Sequence, residues 1–189
     1  MRHTLKTFLR SETGSQSVEA VFAFPLVALS IMLTLTFWDG FHTKTVSQRA
    51  TYTIADMLSR EKQAIDADYL TAMHELYGFV SNEDSGSALR VSVVEFFIDP
   101  DTKEETLSLE WSEGVGGPNG FSDITQLEAR VPLMASGDQL IVVESFQDWT
   151  PHFNVGLGAM RFADIAIARP RFAPKLVWDD GTLLDETSG

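Results

Sequence analysis

The amino-acid sequence predicts an α+β protein: one long N-terminal helix, membrane-spanning in its first half, packed on an antiparallel sheet of about four strands. Three observations predict it. Residues 20–38 are 19 consecutive uncharged, largely apolar positions. Beyond them Val46, Ala50, Ile54 and Leu58 recur every fourth residue, the spacing of one helix face. In the second half, short runs rich in β-branched and aromatic residues lie between turn-forming clusters, which is how strands read.

A chain of 189 residues has room for one modest domain and a membrane segment. Apolar residues at 44% and aromatics at 11% supply enough surface to bury for the chain to fold. Charge is divided unevenly. Arg2, Lys6 and Arg10 against Glu12 leave the first fourteen residues at +2, whereas residues 39–189 hold 11 basic and 25 acidic side chains, a net −14.

The first element is the span. Nineteen residues at about 1.5 Å each are enough to cross a hydrocarbon core of about 30 Å. With the basic residues before it and Asp39 just after it, the positive-inside rule leaves the N-terminus in the cytoplasm and exports the acidic bulk. A removable secretory signal would have a shorter apolar core of about 7 to 15 residues and small residues after it. Here Phe37, Trp38 and Phe41 are large, so retention is expected. A helix buried in a soluble core is disfavoured by the basic leader and by apolar residues all round the helix. The expected organisation is a leader at 1–14, a transmembrane helix at 15–40, a helical stalk at 41–80 and an exported α+β domain at 81–189.

Glu19 stands at the mouth of this apolar run, and Gly14 precedes it by five positions, giving G-x-x-x-x-E directly before the span. An acid at a membrane edge can reach water at little cost; deeper, it needs a partner. The pattern resembles the cleavage site of type IV prepilins, which a membrane aspartyl peptidase cuts after the glycine. The resemblance implies cleavage between Gly14 and Ser15, with Glu19 fifth in the processed chain and paired with the free amine of a neighbouring subunit during assembly. The physics agrees: a carboxylate moved into lipid is stabilised by an ammonium, and glycine lets a backbone enter a protease cleft closely.

The run "VEAVFAFPLVALSIML" is similar to the "VEFALVLPLLLLLL" starts of the TadE/TadF-like proteins of tight-adherence (Flp, type IVb) pilus systems, and Pro25 matches their proline. Proline removes an i to i−4 hydrogen bond, so a helix kink is expected there. "QLIVVESFQDWTPHF" and "ARPRFAPKLVW" also look like the C-terminal strands and tail of that family. Two differences set the chain apart. Major Flp pilins resemble G-x-x-x-x-E-Y and are very short, whereas Ala20 follows Glu19 here and a long domain is attached. Ser15 stands where type IVa pilins commonly have phenylalanine, which leaves N-methylation open. The resemblance implies a pilin-like fold and a minor pilin or pseudopilin in the bacterial inner membrane. Its implied partners are the prepilin peptidase, other pilins and the pilus assembly machinery.

After the span, the helix is expected to continue with Lys44, Gln48, Arg49, Asp56 and Arg60 opposite its apolar face. Asp66 can cap a second helix running to residue 76, with Tyr69, Met73 and Leu76 facing inward and Gly78 ending it. The polar linker "SNEDSGS" marks the change from helix to sheet. Strands are expected at 89–98 and 105–111, joined by a hairpin through "DPDTKE", with Leu107, Leu109 and Trp111 on one inward face. "EGVGGPNG" reads as a flexible loop, and a short helix is expected over 122–133. Strands at 139–146 and 160–168 complete the sheet.

Cysteine is absent, which excludes thiol catalysis and cysteine-ligated metals. His3, His42, His74 and His152 are isolated, without an H-E-x-x-H pair, and there is no phosphate loop and no G-x-S-x-G elbow. Asp148 and His152 are the best acid and base candidates, but Pro151 between them argues for a turn. Asp179 and Asp180 read as a solvated pair. Arg161, Arg169, Arg171 and Lys175, with Phe172 and Trp178 nearby, form a basic cluster whose simplest reading is surface ion pairing. The acidic exported part would be repelled by phosphate, so nucleic acid is not an expected partner. No cofactor, metal or enzymatic activity is expected. The alternative is a membrane-tethered periplasmic ligand-binding module or enzyme with an uncleaved anchor.

Overall fold

A computed structural model describes residues 13–82, 86–132 and 134–181, with side chains from residue 18 onward. Residues 1–12 of the expected leader lie outside the described residues, as do 83–85 of the polar linker, Leu133 and residues 182–189. The described elements are α1 (Thr13–Ser59), α2 (Ala67–Ser81), β1 (Ser87–Ile98), β2 (Glu105–Val115), the 3-10 turns Ile124–Gln126 and Glu128–Arg130, β3 (Gln139–Trp149) and β4 (Met160–Ala168). The described chain divides into two compact units, residues 13–41 with the loop 151–158, and residues 42–150 with 159–181.

In the second unit, the strands form one antiparallel sheet in the order β2-β1-β3-β4, and the C-terminal part of α1 packs on it together with α2. This is the expected α+β arrangement of a long N-terminal helix on four strands. Ala50, Ile54 and Leu58 are buried as the fourfold spacing predicts, against Leu89, Val91, Val93, Ile141 and Val143 of the central strands. On α2 the buried line is Leu70, Met73 and Tyr77; Tyr69 and Leu76, expected inward, flank it half-buried. The helix also runs past Gly78 to Ser81, because Asn82 adopts the left-handed conformation and closes the end, its N–H reaching Gly78 and Phe79 carbonyls. Asp66 caps the start, accepting from Tyr69 N at 2.8 Å.

The sheet is covered on both faces. Val94, Leu140 and Val142 on the second face are buried under Leu127 from the segment of 3-10 turns. That segment replaces the short helix expected over 122–133: Asp123 caps only one turn, accepting from Thr125 N at 3.0 Å. Strand β2 departs from the expected alternation. Trp111 pairs with Val93 and Leu109 with Val94, so Glu110 is an extra residue in a bulge. The bulge turns Trp111 to the helix-covered core while Leu107 and Leu109 pack on the opposite one.

The "DPDTKE" hairpin forms as expected, Asp99 N donating to Glu104 O at 2.9 Å. Asp99 Oδ1 accepts from Asp101 N and Thr102 N, and these N–H groups, Thr102's first, hold its carboxyl below the usual carboxylate range. "EGVGGPNG" is a packed return rather than a free loop. Its first three residues extend β2, and Ser112 Oγ accepts from Phe121 N at 2.8 Å. A Cβ on Gly120 would stand 1.8 Å from Ser112 O, and one on Gly114 1.8 Å from Pro118 O. Gly120→Ala is therefore expected to cost about 2 kcal/mol in urea unfolding. Gly158→Ala, where an added Cβ meets nothing within 4 Å, should stay within about 0.5 kcal/mol.

The C-terminal tail is stitched into this unit. Ile65 N donates to Val177 O and Asp179 N to Ile65 O, while Trp111 Nε1 donates to Leu176 O at 2.9 Å. Nearby, Glu61 accepts from the N–H groups of Lys62 and Gln63, which lower its pKa. Burial first, then the Glu61 carboxylate, pushes the Tyr69 phenol up to about 12. A raised folded-state pKa contributes stability that is present below the unfolded value near 10 and is lost as pH rises through about 12. Tyrosinate absorbance should show a late step near pH 12 that Tyr69→Phe removes.

Candidate membrane-anchoring and processing site

Thr13 is the first described residue of helix α1, and the backbones of Gly14 and Ser15 are helical. Glu19 follows on the same helix and is exposed. From Val18 onward the helix is long and apolar enough to cross a membrane. Its apolar side chains face outward: Phe22 is 70% exposed, Phe24 75% and Leu26 65%. Surface of that extent is costly in water and suited to lipid.

The polar residues of the run are satisfied within it. Ser30 donates to Leu26 O, Thr34 to Ser30 O and Thr36 to Met32 O, each at 2.8 Å. Such bonds remove the need for water or a neighbour at those hydroxyls. Pro25 lies inside the helix and cannot donate to Val21 O, but helical structure continues on both sides of it. At the end of the run, Leu35, Thr36, Trp38 and Asp39 meet His152 and Phe153 of the β3–β4 loop, with His152 Nδ1 3.6 Å from Asp39 Oδ2.

The other candidates are dispersed. Asp148 is held by Arg161 at 2.8 Å and His152 by Asp39, so the acid and base candidates have different partners. The basic residues form separate ion pairs: Arg161 with Asp148, Arg169 with Asp138, Arg171 with Asp56, and Lys175 with Glu95. The bond to Glu95 raises the Lys175 pKa. Phe172 lies under Lys62, and Trp178 packs on Trp111 at 5.3 Å between ring centroids. Asp179 accepts from Gly181 N. Among the described residues, no group of three or more His, Cys, Asp or Glu side chains is placed to hold a metal ion.

Two polar assemblies were missed by sequence reasoning. On the helix-covered face, Asp164 accepts from Lys44 at 2.6 Å and from Ser47 at 2.7 Å, and Ser47 in turn meets the Tyr77 hydroxyl at 2.9 Å. Lys44 also donates to Ala163 O at 2.8 Å, occupying a carbonyl of edge strand β4. The available signal was Asp164 itself, which shares a strand face with Ala166 and Ala168. On the opposite face Glu144 is buried between Arg90 and Arg130. The chain matches no protein-family model, no curated protein and no solved structure.

Proposed function

We propose that the chain is a membrane-anchored minor pilin or pseudopilin that acts in assembly of a tight-adherence (Flp, type IVb) pilus. In this reading it sits in the bacterial inner membrane with its N-terminus cytoplasmic and its C-terminal domain periplasmic, and a prepilin peptidase cuts it after Gly14. It works by docking to other pilins and to the assembly machinery, without a cofactor or a reaction of its own. The observation that carries the reading is Glu19, exposed on a helix whose apolar surface is also exposed, five residues after Gly14. Cutting after Gly14 would place an ammonium on Ser15. A carboxylate and an amine on adjacent subunits then offset the cost of bringing either into lipid.

The mass of the N-terminal peptide from membrane-bound protein, with and without a matching prepilin peptidase, tests it. A peptidase-dependent start at Ser15 supports the reading. An intact leader in both samples refutes it and favours a membrane-tethered periplasmic ligand-binding module. Glu19→Ala is expected to insert normally, because losing a charge eases transfer into lipid. It should lower co-purification with partner pilins by about tenfold, the size of a modest ion-pair contribution in a poorly solvated site. Undiminished co-purification would remove the assembly role of Glu19.

A further inference from the structure

We infer that the β3–β4 loop, residues 151–158, is an interfacial anchor seated in the headgroup layer of the leaflet from which the helix emerges. This inference rests on the membrane-anchored part of the reading above. The loop and residues 13–41 belong to one compact unit. His152 and Phe153 border a pocket of about 170 Å³ with Leu35, Thr36, Trp38 and Asp39. Leu35, Thr36 and Trp38 stand at the C-terminal end of the uncharged run and Asp39 just past it, where a helix that spans from residue 20 reaches the membrane surface.

The loop sequence PHFNVGLG has the chemistry of that layer. It contains no Asp, Glu, Lys or Arg, and Phe153, Val155 and Leu157 alternate with His152, Asn154 and two glycines. Its one ionisable side chain, His152, faces Asp39, with Nδ1 3.6 Å from Oδ2. Irregular backbone has unpaired polar groups and is excluded from the hydrocarbon, but it is tolerated at headgroup level where water reaches it. Aromatic side chains favour the same layer. Phe153 is 39% exposed, Trp38 65% and Phe41 71%, forming an aromatic patch continuous with the lipid-suited surface of the helix. That continuity selects lipid as the occupant, and the patch would sit about 5–10 Å into the headgroup and acyl boundary.

The absence of cysteine makes the test direct. Single cysteines at Phe153, Asn154 and Leu29 of the full chain would be labelled with an environment-sensitive fluorophore and reconstituted into phosphatidylcholine–phosphatidylglycerol vesicles. Quenching would be compared between lipids with a nitroxide near the headgroup, lipids with a nitroxide at the chain end, and aqueous iodide. The expected result at Phe153→Cys and Asn154→Cys is headgroup-nitroxide quenching about threefold stronger than chain-end quenching. Leu29→Cys should show the reverse order. Iodide quenching without nitroxide quenching at both loop positions would place the loop in water and overturn the inference. Quenching by none of the agents there would mean a protein cover and would overturn it equally. Absence of nitroxide quenching at Leu29→Cys would sink the membrane span and this inference with it.

Discussion

Gly14→Val is expected to leave the chain at its unprocessed mass when expressed with a prepilin peptidase, with cleavage slowed by about 100-fold, the scale of a misplaced scissile bond. The backbone at Gly14 is helical, so a protease must open the helix to reach the peptide bond. Glycine weakens a helix by about 1 kcal/mol relative to alanine, which eases that opening. Valine removes that ease: its branched side chain restricts the backbone and stands where the protease must approach. Gly14→Ala, smaller and unbranched, should retain measurable processing. Thermal unfolding of the globular part should be unchanged in both variants. Mature protein from Gly14→Val, detected by mass, would reject the cleavage assignment.

Glu144→Ala is expected to destabilise the folded part by about 3 kcal/mol, read as a lower urea midpoint for the full chain in detergent. Glu144 Oε2 accepts from Arg90 Nε at 2.8 Å and lies 2.7 Å from its Nη2, one oxygen facing both nitrogens, while Oε1 accepts from Arg130 Nη1 at 2.5 Å. The Glu144 side chain is 5% exposed and that of Arg90 14%. Removing the carboxylate therefore leaves a guanidinium with little water and no counter-charge. Arg130 is half-exposed, and solvent screening makes its share small. Arg90 also stacks over the Phe121 ring at 3.5 Å, so its stem and face remain packed. The double variant Glu144→Ala with Arg90→Met should recover part of the loss, because it removes the unpaired charge. A double variant no more stable than Glu144→Ala would reject that cause.

The amino-acid sequence by itself determined the features that repeat along the chain. The apolar run of residues 20–38 needed only its length, and the fourfold spacing through Ala50, Ile54 and Leu58 needed only helix geometry. The same holds for the four strands and the Asp99 hairpin, since alternation and turn chemistry act between near neighbours. The G-x-x-x-x-E spacing of Gly14 and Glu19 is likewise a local pattern. Only the tertiary structure decided which face each strand residue occupies after an interruption. A single extra residue, Glu110, sends Trp111 and Leu109 to opposite cores, because a shift of one position inverts every side chain beyond it. It also brought Lys44 to Asp164 and Arg90 to Glu144, separated by 120 and 54 residues. Such pairings depend on strand order and register, which no local period encodes, and on the need of each buried polar group for a partner once the surrounding apolar residues exclude water.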